Sequence, residues 1–386
     1  MMRYLFWSIV FSFGLLACAD PPVAEEEAPE GELSLPPLEA DYEPSEVKWG
    51  YIDRRGQVVI AQKFDDCRSF REGRAVVRIG GRWGFIDRNG RTVIPANFRA
   101  AWDFSEGLAR VLTFEGKTGF IDTTGAWVVR PTFDDARDFS EGLALVKHEG
   151  LYGYLDRSGA LVIPCRFEQG SNFENGQAKV KADGRYGLLD RDGKFLLPPD
   201  YRQLSPFSNG LARVKTGNYY EFVDGEGKTV LSGNFLQATD FAGDLAAVRD
   251  EGGWQLIDRQ GNPRTGRPYD QIWYAGEDRW AAELGGRYGY LDTAGQEIVP
   301  LQFEQVYSFS EGRAPYQQEQ LWGYLDPDGN LITPPQFGLA WSFQNGLARV
   351  AFFEGIGFID RSGKMAIRPD FLDVRDYSEG LARMQR

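Results

Sequence analysis

Residues 82–95 read Arg82-Trp83-Gly84-Phe85-Ile86-Asp87-Arg88-Asn89-Gly90-Arg91-Thr92-Val93-Ile94-Pro95. Two strand-length runs, 83–87 and 91–95, flank Asp-Arg-Asn-Gly. An Asp side chain accepts N–H groups of its own turn, and Asn-Gly supplies the positive φ of a tight hairpin. The segment therefore reads as two antiparallel strands, with Pro95 ending the second. Further on come Phe98 and then Phe104-Ser105-Glu106-Gly107-Leu108-Ala109-Arg110-Val111, in which 108–111 reads as a third strand.

The same pattern returns along the chain. The Asp stands at 53, 87, 122, 156, 190, 224, 258, 292, 326 and 360, spaced by 34 residues except once by 35. Gly follows three residues after each, and an aliphatic residue precedes each. Eleven residues on there is always an aromatic, among them Phe98, Phe133 and Phe167; seventeen on there is one in every unit except at Ala275. Gly is 46 of 386 residues and aromatics are 14%, a composition of short strands and tight turns. The third strand alternates Ala109/Val111, Ala144/Val146 and Ala178/Val180, with Arg110, Leu145 and Lys179 between them, which predicts one buried face. Recurrent Ala predicts close approach of another backbone.

One such unit cannot stand alone, so neighbours are expected to stack their rings into continuous ladders. The expected fold is all-β: ten three-stranded antiparallel units of about 34 residues, starting near 47, 81, 116, 150, 184, 218, 252, 286, 320 and 354. Propellers usually have roughly four to eight blades of four strands, so the pattern favours an open or superhelical solenoid. A closed, propeller-like ring is the alternative, because the array begins and ends on whole units.

The 34-residue pattern resembles the WG-repeat (KWG) family of bacterial proteins over residues 47–386. Trp-Gly stands at Trp49-Gly50, Trp83-Gly84 and Trp322-Gly323, and Tyr-Gly replaces it at Tyr152, Tyr186 and Tyr288. The resemblance implies an all-β repeat fold in envelope or secreted proteins and brings no catalytic residues.

Residues 1–17 carry Arg3 and an apolar run too short to span a bilayer, as in a signal peptide. Leu15-Leu16-Ala17-Cys18 resembles the bacterial lipobox, which implies lipidation of Cys18 and a membrane anchor. Residues 18–46 hold ten acidic residues and no Lys or Arg, are rich in Pro and Glu, and read as a disordered tether. The body, 47–386, then has 42 basic and 46 acidic residues; this near-neutral balance without a basic block excludes nucleic acid as a partner.

Little in the body reads as chemistry. The repeated Asp is usually followed by Arg, as at Arg54, Arg88, Arg157, Arg191 and Arg361, so turn capping is favoured over calcium binding. His148 is the only histidine. Cys67 and Cys165 occupy small-residue positions in different repeat phases, too far apart to pair. Asp65-Asp66 and Asp134-Asp135 read as solvated loops. No metal or cofactor is expected.

The pattern decays in units six to eight. Residues 261–268, Gly-Asn-Pro-Arg-Thr-Gly-Arg-Pro, replace a second strand, and Asp244 and Asp278 replace the Gly of Ser-Glu-Gly. Local failure of a rule often marks function. The candidate binding surface is an exposed aromatic patch of Tyr219, Tyr220, Arg264, Arg267, Tyr269, Trp273, Tyr274 and Trp280. The expected function is non-enzymatic: a lipid-anchored envelope protein that binds a protein or a cell-wall or other polysaccharide. The alternatives are a polysaccharide hydrolase using carboxylates near units six to eight, and a structural spacer.

Overall fold

The computed structural model describes residues 46–215 and 217–386; Cys18 and the leader lie outside them. Every regular element described is a β-strand, and no described helix is long and apolar enough to cross a membrane. Around the opening hairpin, Asp66–Cys67, Ala75–Ile79, Arg82–Ile86 and Thr92–Phe98 form one antiparallel sheet in chain order. The repeat thus carries four strands rather than three. The hairpin runs on past Pro95 to Phe98; Pro95 sits on an exposed edge, where its missing N–H removes no ladder bond. Asp66 and Asp135 begin short first strands rather than solvated loops, and Asp135 is buried.

We number this sheet blade 1. Blades 2–5 follow over residues 100–235, blade 6 over 237–258, and blades 7–9 over 271–371. Blade 6 alone has three strands. Blade 10 joins the two ends of the chain: Asp373–Val374 and Ala382–Gln385 pair with Trp49–Ile52 and Val58–Phe64. Tyr51 lies opposite Arg383 and Ile52 opposite Ala382. The Ser378 hydroxyl donates to the Phe70 carbonyl at 2.6 Å, and the Tyr377 hydroxyl to that of Asp53 at 2.7 Å. The array is therefore a closed ring, a ten-bladed β-propeller, and the open solenoid expectation is corrected. Each sequence unit gives its hairpin to one blade and its last strands to the next. Ten whole units leave half a blade at each end, and an open array would expose both halves as raw edges.

Closure covers both faces of every sheet. In blade 2 the strand Leu108–Leu112 is buried at all five positions. Arg110, expected on a polar face, and Arg349 at the same position of blade 9 are each only 7% exposed. Arg110 stacks 3.8 Å from the Trp102 ring centroid and donates to Asp138 at 3.1 Å and to the Ala136 carbonyl. Arg349 donates to Asp376 at 2.7 Å.

The core divides into ten clusters at the blade interfaces. Rings meet in pairs across eight of the ten interfaces rather than in continuous ladders. Phe85–Phe104, Phe120–Phe139 and Tyr154–Phe173 have centroids 5.1, 4.9 and 4.9 Å apart. The equivalent pair closes the ring at Tyr51–Phe70, 4.9 Å. Phe167 is buried, and Phe98 and Phe133 are half-buried against their clusters.

All ten repeated aspartates cap their own turns. Asp87 Oδ1, for example, accepts the N–H groups of Asn89 and Arg91 at 2.9 Å each. Hydrogen bonds from Thr124 and Ser158 side chains, with turn amides, hold the Asp122 and Asp156 carboxyls below their ordinary range. A lowered folded pKa contributes stability above the unfolded value, near 3.9, that is lost as pH falls through it. The thermal midpoint should hold steady from neutral pH to about 5 and fall steeply below about 4. Circular dichroism melts across that range check this; a flat midpoint at low pH would contradict it.

Candidate functional site: an unfastened junction between blades 6 and 7

Strand direction places the first–second and third–fourth turns of every blade on one face of the ring. Here the Ser-Glu-Gly loops fasten neighbouring blades. A glutamate of one loop accepts the glycine N–H of the next: Glu72 from Gly107 at 2.8 Å, Glu106 from Gly142 at 2.9 Å, Glu277 from Gly312 at 3.0 Å and Glu311 from Gly346 at 2.8 Å. The serine donates to the carbonyl before the next loop, as Ser105 does to Phe139 at 2.8 Å and Ser310 to Phe343 at 2.7 Å. Asn209 and Asn345 substitute with side-chain amides at 2.9 Å. The Arg after the turn Asp reaches back to the preceding loop: Arg191 to Glu141 at 2.6 Å and Arg361 to Glu311 at 2.8 Å. The repeated Asp-Arg is thus a turn cap followed by a blade-to-blade strut.

Between blades 6 and 7 these fasteners are missing together. Ala242, Gly243 and Asp244 stand for Ser, Glu and Gly, and Thr293 stands for the Arg. At the positions of the interfacial ring pair stand Leu256, which packs in the 6–7 cluster, and Ala275, which packs in the 7–8 cluster. The fourth strand of blade 6 is reduced to isolated contacts, Ile257 opposite Pro263, the Arg264 N–H to the Leu256 carbonyl at 2.8 Å and Trp254 opposite Tyr269, with residues 265–267 outside any strand. Compensation comes from Trp280. The residue paired with the aliphatic before each Asp is Ala in nine blades, as Ala75↔Ile86 and Ala246↔Ile257, and Trp280↔Leu291 in blade 7. Its indole joins Leu256, Tyr269 and Ile272 in the interface cluster.

What remains open is a cavity of about 620 Å³ on the fastened face. Ala242–Leu245 form one wall, and Tyr274, Asp278 and Trp280 the other. Asp258, Arg259, Gln260, Arg264 and Thr293 complete it. Asp258 is occupied: it accepts Gln260 and Asn262 N–H at 2.9 Å and faces Arg264 at 3.8 Å. Hydrogen bonding by Asn262 is the chief cause that holds its carboxyl below the usual range. The Asp278 N–H donates to the Tyr274 hydroxyl at 3.3 Å, and Tyr274 is 41% exposed.

Of the residues singled out in sequence, Arg264, Tyr274 and Trp280 meet at this cavity. Arg267 and Tyr269 instead converge on Glu297, at 2.6 and 2.9 Å. Trp273, Trp280 and Tyr269 are buried, so the expected exposed aromatic patch does not form: Tyr269 and Trp280 pack in the 6–7 cluster, and Trp273 packs with Ala275 in the 7–8 cluster. Tyr220 donates to Gln203 at 2.6 Å in blade 5, and Tyr219 lies on the opposite face of the ring. Asp258, Arg259, Gln260 and Thr293 were missed, although Thr293 stands out once the Asp-Arg column is aligned. Among the described residues no group of three or more His, Cys, Asp or Glu could hold a metal. His148 lies against Phe133, and Cys67 and Cys165 are free thiols.

Fold and site define a ten-bladed, all-β propeller with one unfastened junction. The sequence model of the WG containing repeat matches nine times, at 49–83, 83–117, 119–152, 152–186, 186–220, 222–254, 288–322, 322–351 and 356–386. The chain belongs to that family; residues 255–287, which supply Asp258, Arg264, Tyr274, Asp278 and Trp280 to the cavity, fall outside the matches. No curated protein matches the chain. Among solved structures it is similar to a eukaryotic initiation factor (10% identity, 74% of this chain and 95% of that one, TM-score 0.45). It is also similar to BamB from Moraxella catarrhalis (12%, 82% and 95%, 0.34) and to a structure described as YCF48 bound to D1 peptide (14%, 55% and 87%, 0.29).

Proposed function

We propose that this WG-repeat propeller is a lipid-anchored protein of the bacterial envelope that carries out no chemistry and holds a partner protein at the cavity between blades 6 and 7. The Ser, Glu and Arg columns also fail between blades 4 and 5, at Glu174, Asn175 and Gly225, but there Gln177 bridges to the Phe207 backbone. The observation that carries this reading is that the 6–7 junction loses the same fasteners and holds an open cavity lined by Asp244 and Asp278 instead. Asp258 and Arg264 already face each other, which leaves Asp244 and Asp278 for a ligand. Two carboxylates beside the half-exposed Tyr274 ring suit a Lys or Arg side chain on a partner's loop, through charge and cation–π attraction.

The test is recovery of partners from envelope extract on the immobilised protein and on its Asp244→Asn/Asp278→Asn variant. The expected result is a protein partner whose recovery falls about tenfold in the variant, the effect of a lost charge-assisted contact. Equal recovery by both, or capture of polysaccharide alone, would reject this reading of the cavity. The anchor is checked separately: Cys18→Ser should release the protein from membranes.

A further inference from the structure

Charge is distributed unevenly round the ring. Residues 47–99, which build the outer half of blade 10 and the whole of blade 1, hold twelve Lys or Arg and five Asp or Glu; residues 100–386 hold thirty and forty-one. All five acids of the basic stretch are engaged within the ring. Asp53 and Asp87 cap their turns, Glu72 accepts the Gly107 N–H, Asp65 pairs with Lys48, and Asp66 accepts the Cys67 N–H at 2.7 Å. The face opposite the fasteners carries the second–third turns and the connections between blades. There the strand ends place Lys48, Lys63 and Arg386 in blade 10, and Arg78, Arg82 and Arg99 in blade 1. Lys63, Arg82 and Arg386 are exposed. The same face of blades 7–9 carries Glu283, Glu304, Glu319 and Glu354 instead. Strand Trp49–Ile52 begins on this face, so the chain that precedes the ring joins it among these bases. That chain, residues 19–46, holds ten acids and no Lys or Arg.

We propose that the acidic segment 19–46 lies along this basic sector of its own ring, with its carboxylates against Lys63, Arg82 and Arg99. Charge complementarity and the point of attachment decide the occupant. Twenty-eight residues reach some tens of ångströms, enough to cross two neighbouring blades. An exposed ion pair is weak by itself and is screened by salt. Attachment makes the encounter intramolecular, so several pairs act together at millimolar effective concentration. The ring's basic sector is thereby covered by an anion of the same chain, which an acidic partner has to displace. The sector lies four blades from the cavity between blades 6 and 7 and on the other face, so the two sites are independent.

The experiment uses the chain from Ala19 onward, which holds the whole acidic segment and every strand of the ring. A glutamate-specific endopeptidase cuts it at the glutamates between 25 and 43, with the free peptide 19–46 as reference. Cutting is timed at about 0.01 M salt, where charges interact over roughly 30 Å, and at about 1 M, where they are screened beyond roughly 3 Å. The expected result is cleavage of the parent about tenfold slower than of the free peptide at low salt, and equal at high salt, the mark of a tethered charge contact. Lys63→Glu/Arg82→Glu/Arg99→Glu should lose the protection at low salt with an unchanged melting temperature. Arg185→Glu/Arg202→Glu/Arg287→Glu, the same change of charge on other blades, should keep it. A parent cut as fast as the peptide at low salt, or two triple variants that behave alike, would overturn the proposal. So would protection that grows with protein concentration, which would make a second copy the occupant. None of these outcomes bears on the Asp244/Asp278 test.

Discussion

Cutting the chain after Phe371 should abolish the folded ring rather than trim it. The deletion removes fifteen residues from one end, yet their strands complete a blade begun at the other. Val374, Tyr377, Ala382 and Met384 are all buried against Ile52, Phe358 and Phe371. At about 1.5–3 kcal/mol for each large side chain, the loss approaches 8 kcal/mol, comparable to the whole stability of an ordinary domain. It also exposes Trp49–Ile52 as a raw edge. The truncated protein should lack a cooperative melting transition and aggregate. An open array would lose only one terminal interface and keep a melt lowered by a few degrees. Deleting a similar number of residues from the acidic segment before Val47 should leave the melt unchanged.

Trp280→Ala should produce the second largest effect, although it installs the residue that nine other blades carry. In those blades a ring from the loop, such as Phe104, fills the interface beside the alanine. In blade 7 that position is Ala275, which packs with Trp273 and Phe309 in the 7–8 cluster, so the variant leaves the 6–7 cluster without either ring, and removing a buried Trp costs about 3–5 kcal/mol. Ala275→Phe alone should also destabilise, by about 1–3 kcal/mol, because the ring overfills the 7–8 cluster. With the two positions in different clusters, the double variant should lose about the sum of the two. Denaturant melts of the four proteins give the coupling. Recovery of stability in the double variant would show instead that the two positions share one interface.

Fixed offsets made the blade legible. Asp87, Gly90, Phe98 and Phe104 announce a turn, a strand end and an interface, and their tenfold recurrence specifies an all-β array. Closure was legible only as the alternative that whole units allow, because nothing in the spacing says that the strand before Asp53 pairs with residues 382–385; that contact joins the two ends of the sequence. The burial of Arg110 was hidden for the same reason, since period-two alternation assumes one solvent face and a ring covers both. The site was half legible. Broken repeats marked the right stretch, and Ala275 stood out as an exception, but Trp273 and Trp280 read as surface because exposure cannot be inferred from an aromatic residue alone. Aligning Trp280 with the alanine column shows its packing role.

Native-state hydrogen exchange of the two end strands tests ring closure most directly. Amides of Trp49–Ile52 and Ala382–Gln385 lie in the middle of blade 10. A closed ring predicts that they exchange as slowly as those of Arg82–Ile86, through global unfolding alone. Fast exchange at both ends, fraying inward unit by unit, would mean that the array is open and that blade 10 does not form.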